Sequence, residues 1–113
     1  MLNWFNRKKA FQSVSAEQVE GFLLTGEGQA LDVRTREEFA SGHLPGATQL
    51  DVQSVDFVRQ LEKLDPEKPY YVYCRSGGRS TRACQRMTDQ GFKQVHNLVG
   101  GLGGWKGKIV TDS

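Results

Sequence analysis

The chain lacks most of the features that would take it outside the small globular domains. It holds only two cysteines, Cys74 and Cys84, and three prolines in 113 residues. Two thiols make no disulfide framework, and there is no proline-rich linker to separate two domains. The longest uninterrupted apolar run, Tyr70 to Cys74, is too short for a membrane span or the core of a signal sequence. Charge of one sign is scarce too: 15 Lys and Arg against 13 Asp and Glu leave +2, too little for a nucleic-acid footprint. Cofactor and metal signatures are missing. No GxGxxG follows a strand, no GxxxxGK occurs, and Cys74, Cys84, His43 and His96 lack the C-x2-C or H-x3-H spacing of a zinc site. The expectation is one soluble domain with free thiols, no cofactor and no metal, whose simplest setting is a reducing cytoplasm.

What is present is an alternation of short strands and short helices. Residues 1–12 read as an N-terminal extension, with Trp4 and Phe5 beside Arg7, Lys8 and Lys9, loosely packed rather than bound to a membrane. Ser15 and Gln18 have capping-box spacing, and Ala16, Val19, Phe22 and Leu23 share a face of the helix that Gly26 and Gly28 end. Ala30–Val33 is a buried strand, and Thr35 with Glu38 starts a second capped helix at once. After a turn at His43–Gly46, Ala47–Val52 reads as a strand. Ser54 is then expected to cap a helix carrying Val55, Phe57, Val58, Leu61 and Leu64, closed by Asp65-Pro66.

The aromatic and β-branched run Tyr70–Tyr73 is the clearest strand, and it delivers Cys74 at its carboxyl end. Ser80, Ala83, Cys84 and Met87 recur at helical spacing, so a helix starts near Arg79–Thr81 and stops before Gly91. Val95–Leu98 is the last strand, and the glycines from Gly100 to Gly104 read as a flexible closing loop before Trp105. The order predicts an α/β fold, with a mostly parallel sheet of about five strands and helices on both faces. Ligands of such sheets bind beyond the carboxyl ends of the strands, where Cys74 sits.

The segment Cys74-Arg75-Ser76-Gly77-Gly78-Arg79-Ser80 joins that strand end to a helix start. Several backbone N–H groups converge there, with the positive pole of the helix behind them. Paired glycines permit the tight curl. Such a field draws a thiol toward its thiolate and favours a bound anion. Cys74 is therefore the candidate nucleophile, Arg75 to Ser80 the candidate anion-binding set, and Asp32 a possible support that fixes the loop or caps the next helix. Arg34 reads as paired with acids of its own helix turn, and Cys84 as a core residue rather than a resolving thiol.

Leu31-Asp32-Val33-Arg34 with Glu37-Glu38-Phe39, then Gly42-His43-Leu44-Pro45-Gly46-Ala47, then Tyr71 to Ser80, then Gly100-Gly101 to Trp105 together resemble the rhodanese-like sulfurtransferases. The likeness runs over about residues 13–107, leaving 108–113 as a C-terminal tail. It implies a catalytic Cys74 that takes a sulfane sulfur from an anionic donor such as thiosulfate or polysulfide and holds it as a persulfide. The sulfur then passes to cyanide or a thiol, including the thiol of a thioredoxin-like or other sulfur-accepting protein. Arg75 and Arg79 would offset the donor's charge, and the amides of Arg75 to Ser80 would hold the persulfide. Two rivals stand beside it. A cysteine phosphatase or arsenate reductase needs five residues between Cys and Arg, whereas four separate Cys74 from Arg79. A binding or sulfur-relay module with little turnover would keep the same Cys74.

Overall fold

Along the Tyr70–Tyr73 run, alternate side chains leave the backbone on opposite sides, and both sides are buried. Tyr70, Val72 and Cys74 enter one apolar cluster, while Tyr71 and Tyr73 enter the other. The computed structural model describes residues 11–111. It contains five strands, β1 (Gln12–Val14), β2 (Gln29–Asp32), β3 (Thr48–Gln49), β4 (Pro69–Tyr73) and β5 (Gln94–Leu98). They form one sheet in the order β1-β5-β4-β2-β3, and every pairing is parallel. The α/β class and the five-stranded parallel sheet are thus as the sequence indicates. The extension's Trp4, Phe5 and basic residues lie outside the described residues, whereas Gln12 already pairs with His96 in β1. At the other end Val110 makes an antiparallel bridge with His43.

The helices are α1 (Ala16–Thr25), α2 (Arg36–Ser41), α3 (Phe57–Leu61) and α4 (Gly78–Asp89). Both capping boxes form: Ser15 with Gln18 starts α1, and Thr35 with Glu38 starts α2. Gly26 ends α1 at a φ of 77°, a conformation that glycine adopts without steric cost. Phe57 and Leu61 of α3, with Ala83, Cys84 and Met87 of α4, cover the Val72 face of the sheet. Val19, Phe22 and Leu23 of α1 cover the Tyr71 face. Among the described residues, no helix is long and apolar enough to cross a membrane.

Three local expectations change. The strand expected over Ala47–Val52 shrinks to Thr48–Gln49 at the sheet edge. Single bonds from Leu50 N–H to Asp32 O and from Val52 N–H to Val33 O continue past it, and the chain then turns as Ser54 N–H reaches Asp51 O. Ser54 does not cap α3. Its hydroxyl accepts from Asp56 N–H two residues on, a local turn that competes with helix initiation, and Val55 is left fully exposed at 100%. The glycine run Gly101–Gly104 is a 3-10 helical turn, not a loose loop.

Asp32 and Arg34 also play other parts than expected. They are two residues apart in extended chain, so their side chains leave the same face. Arg34 Nε and Nη2 reach both oxygens of Asp32 at 2.6 to 3.1 Å, while the Asp32 Oδ1 also accepts Arg34 N–H at 2.9 Å. Arg34 therefore pairs with Asp32 and not with the acids of α2, and its Nη2 also donates to Gly42 O at 2.7 Å. Among the described residues, Asp32 makes no hydrogen bond to residues 74–80, though it stands in register with Tyr73 directly before them, and α2 is capped by Thr35.

Candidate active site

Strand β4 ends at Tyr73 and α4 begins at Gly78, so Cys74 to Gly77 must reverse the chain within a few residues. Gly77 makes this possible with a φ of 135°, where side-chain-bearing residues are strained. The reversal points amides inward. Gly77 N–H donates to Cys74 Sγ at 3.0 Å and Ser80 N–H at 3.4 Å, and Ser80 Oγ lies 3.5 Å from the sulfur. The Ser80 hydroxyl accepts from the Cys74 thiol and donates to Gly77 O at 3.1 Å, and it can donate to an ionised sulfur by giving up Gly77 O.

Burial alone pushes the Cys74 thiol up. The bonds from the Ser80 side chain and from the amides of Ser80, Ser76 and Gly77 outweigh it, and the thiol is held below its ordinary value. Cys84 goes the other way: burial, then the nearby Cys74 charge, push its thiol up. The two cysteines are thus separated chemically, and Cys84 is a core residue of the Val72 face. Alkylation of Cys74 by iodoacetamide, followed against pH, is expected to show a midpoint below the value of about 8.5 for free cysteine, and Ser80→Ala to raise it. Because the folded value lies below the unfolded one, ionisation stabilises the fold above about pH 8.5. That contribution is lost as pH falls through the folded value.

The back of the loop is held by the 3-10 turn. Leu102 N–H donates to Cys74 O at 2.8 Å and Gly103 N–H to Arg75 O at 2.9 Å. The approach is close enough that a Cβ on Gly101 would stand 2.5 Å from Cys74 O and 2.7 Å from Arg75 O, at a φ of 56°. Gly101→Ala is therefore expected to cost about 2 kcal/mol or more and to slow alkylation of Cys74. A melting curve and a rate constant check both effects. Sequence reasoning missed this clamp, and its one trace there is the clustering of glycines ahead of Trp105.

The loop residues do not all converge on sulfur. The amides of Gly77 and Ser80 do, whereas Arg75, Ser76 and Gly78 are exposed. Arg79 is bound by Glu38 of α2 through Nη1 and Nη2 at 2.8 and 3.0 Å. This bond first, opposed by burial and helped by the Thr35 contacts, lowers the Glu38 carboxyl to about 2. The sequence showed Glu38 only as a helix cap. His43 is buried with its ring stacked on Phe39 at 3.6 Å, and the His96 Nδ1 lies 3.2 Å from Tyr70 O. Among the described residues, no group of three or more His, Cys, Asp or Glu side chains is placed to hold a metal. A groove of about 420 Å³ lined by Leu23, Leu24, Pro45 and Trp105 touches none of Cys74 to Ser80. The arrangement at Cys74 sets two amide N–H groups on one buried sulfur and favours its ionised form.

Known proteins resemble this chain in fold and in sequence. A rhodanese-like protein from Staphylococcus aureus superposes with a TM-score of 0.80 at 26% identity, over 91% of this chain and all of that one. YtwF of Bacillus subtilis is 41% identical over 78 residues, 69% of this chain and 73% of its own length. The thiosulfate sulfurtransferase GlpE of Coxiella burnetii is 37% identical over 80 residues, 71% of this chain and 73% of GlpE. The family profile described as rhodanese-like domain matches residues 15–108. With a parallel sheet that ends in an amide-lined cysteine and a match over most of its length, the chain belongs to the rhodanese-like domain family.

Proposed function

We propose that the chain is a sulfurtransferase that moves a sulfane sulfur from an anionic donor, such as thiosulfate or polysulfide, to a thiol or cyanide through a persulfide on Cys74. The observation that carries this reading is the pair of amides, Gly77 and Ser80, aimed at one buried sulfur. Amides fixed in place stabilise a negative sulfur without reorganising, whether it is the attacking thiolate or the persulfide that replaces it. Family membership and the likeness to a thiosulfate sulfurtransferase support the same reading.

With thiosulfate, the Cys74 thiolate attacks the outer sulfur and the sulfur–sulfur bond of the donor breaks. Sulfite leaves with the bonding pair, and the charge comes to rest on the terminal sulfur of Cys74. Cyanide or a thiolate then takes that sulfur and regenerates the Cys74 thiolate. In the first step an anion must approach an anion, which the loop amides and the N-terminus of α4 ease. The phosphatase alternative is disfavoured by the four residues between Cys74 and Arg79, which make a smaller loop than a phosphoryl group needs. Thiocyanate formation from thiosulfate and cyanide, assayed beside hydrolysis of an aryl phosphate, tests the reading. Thiocyanate without phosphate release is expected, and the reverse pattern would refute it.

A further inference from the structure

Arg79 and Glu38 stand in the first turns of α4 and α2, the helices that follow the neighbouring strands β4 and β2. Their contact is two-pronged, at 2.8 and 3.0 Å, the geometry that best fixes a guanidinium on a carboxylate. Glu38 is itself anchored, accepting from Thr35 N–H at 3.0 Å and from the Thr35 hydroxyl at 3.1 Å. The Arg79 charge beside the loop is therefore already matched by an acid. Arg75 differs: its residue is exposed, and among the described residues no carboxylate lies within ion-pair distance of it. Of the two loop guanidiniums, Arg79 is compensated by Glu38 and Arg75 by no described carboxylate.

We propose that Glu38 sets the charge preference of the Cys74 site: paired with Arg79, it suits the loop to a donor with one negative charge, an organic persulfide or a thiosulfonate, over dianionic thiosulfate. The inference rests on the reading of Cys74 as a sulfur acceptor and narrows the class of donor. With a persulfide, the Cys74 thiolate attacks the terminal sulfur, the donor's sulfur–sulfur bond breaks, and an organic thiolate leaves with the bonding pair. With a thiosulfonate a sulfinate leaves instead. Neither step needs an oxidant or a reductant. Because selectivity is a difference between two donors, a charge that repels both does so more strongly for the dianion. Glu38 is a positioning residue in this scheme, acting through Arg79.

Glu38→Gln tests it, since glutamine keeps the length and the capping ability at this position and removes the charge. The measurement is kcat/KM for thiosulfate and for benzenethiosulfonate, donors that differ by one charge and deliver the same atom. The ratio of thiosulfate to thiosulfonate is expected to rise roughly fivefold in the variant, the scale of one charge near a partly hydrated site, with KM carrying the change. A purely structural role would move both donors together, and an unchanged or falling ratio overturns the proposal. A second arm follows alkylation of Cys74 by anionic iodoacetate and neutral iodoacetamide in a Cys84→Ala background. Glu38→Gln should raise the iodoacetate to iodoacetamide rate ratio, and a constant ratio counts against the proposal. Failure of the sulfur-transfer reading shows differently, as wild-type protein that takes no sulfur from either donor.

Discussion

Cys74→Ser is expected to reduce sulfur transfer by at least about a thousandfold and to leave the fold in place. The oxygen of serine is a much poorer nucleophile at neutral pH, and the amides of Gly77 and Ser80 do too little to ionise a hydroxyl. More decisively, an alkoxide has no stable counterpart to the persulfide, so the first product cannot accumulate. Stability should change little, because serine fills nearly the same volume and takes over the donors now 3.0 and 3.4 Å from sulfur. The matched substitution Cys84→Ala should retain transfer, its thiol being buried in the core of the Val72 face. Initial rates of thiocyanate formation and a urea titration for each variant separate loss of chemistry from loss of structure. Comparable loss of activity in both variants would place the chemistry elsewhere.

The largest effect on stability is expected at Asp32, a residue outside the reacting group. Asp32→Ala removes the carboxylate from the Arg34 guanidinium, whose side chain is 3% exposed. The guanidinium then keeps Gly42 O at 2.7 Å and the Tyr73 ring 5.8 Å from its central carbon. Breaking one side of a buried pair costs about 3–5 kcal/mol, a large part of the roughly 5–15 kcal/mol that holds a domain together. The damage would reach the site through the sheet, because Val33 N–H bonds Tyr73 O at 3.0 Å directly before Cys74. Adding Arg34→Met should recover much of the loss, since an apolar chain leaves no stranded charge. Urea midpoints of the single and double variants measure this, and a double variant no more stable than Asp32→Ala would contradict it.

The parts of this architecture visible in the sequence are those written locally. Tyr70–Tyr73, the Cys74 loop and the Ala83-Cys84-Met87 stripe follow one another without a gap, so strand, reversal and helix are each marked by their own residues. The two capping boxes are four-residue signals and form as spaced. What escaped depends on partners far along the chain. Strand β1 is three residues that become a strand only by pairing with His96–Leu98. The clamp on Cys74 O and Arg75 O is made by the amides of Leu102 and Gly103, and amides carry no side-chain signature. The Arg79–Glu38 pair joins residues 41 positions apart, and the capping role that made Glu38 legible hid its second contact. Arg34 meets Asp32 because the two share one face of an extended segment, a relation that spacing along a helix does not display.

The central claim is that Cys74 carries sulfur between two partners, and intact-mass spectrometry tests it most directly. Wild-type protein incubated with a sulfane donor and freed of excess reagent should gain the mass of one sulfur atom and lose it on addition of cyanide. Cys84→Ala should do the same and Cys74→Ser neither. A wild-type mass unchanged by every donor, or a gain that persists in Cys74→Ser, would contradict the account.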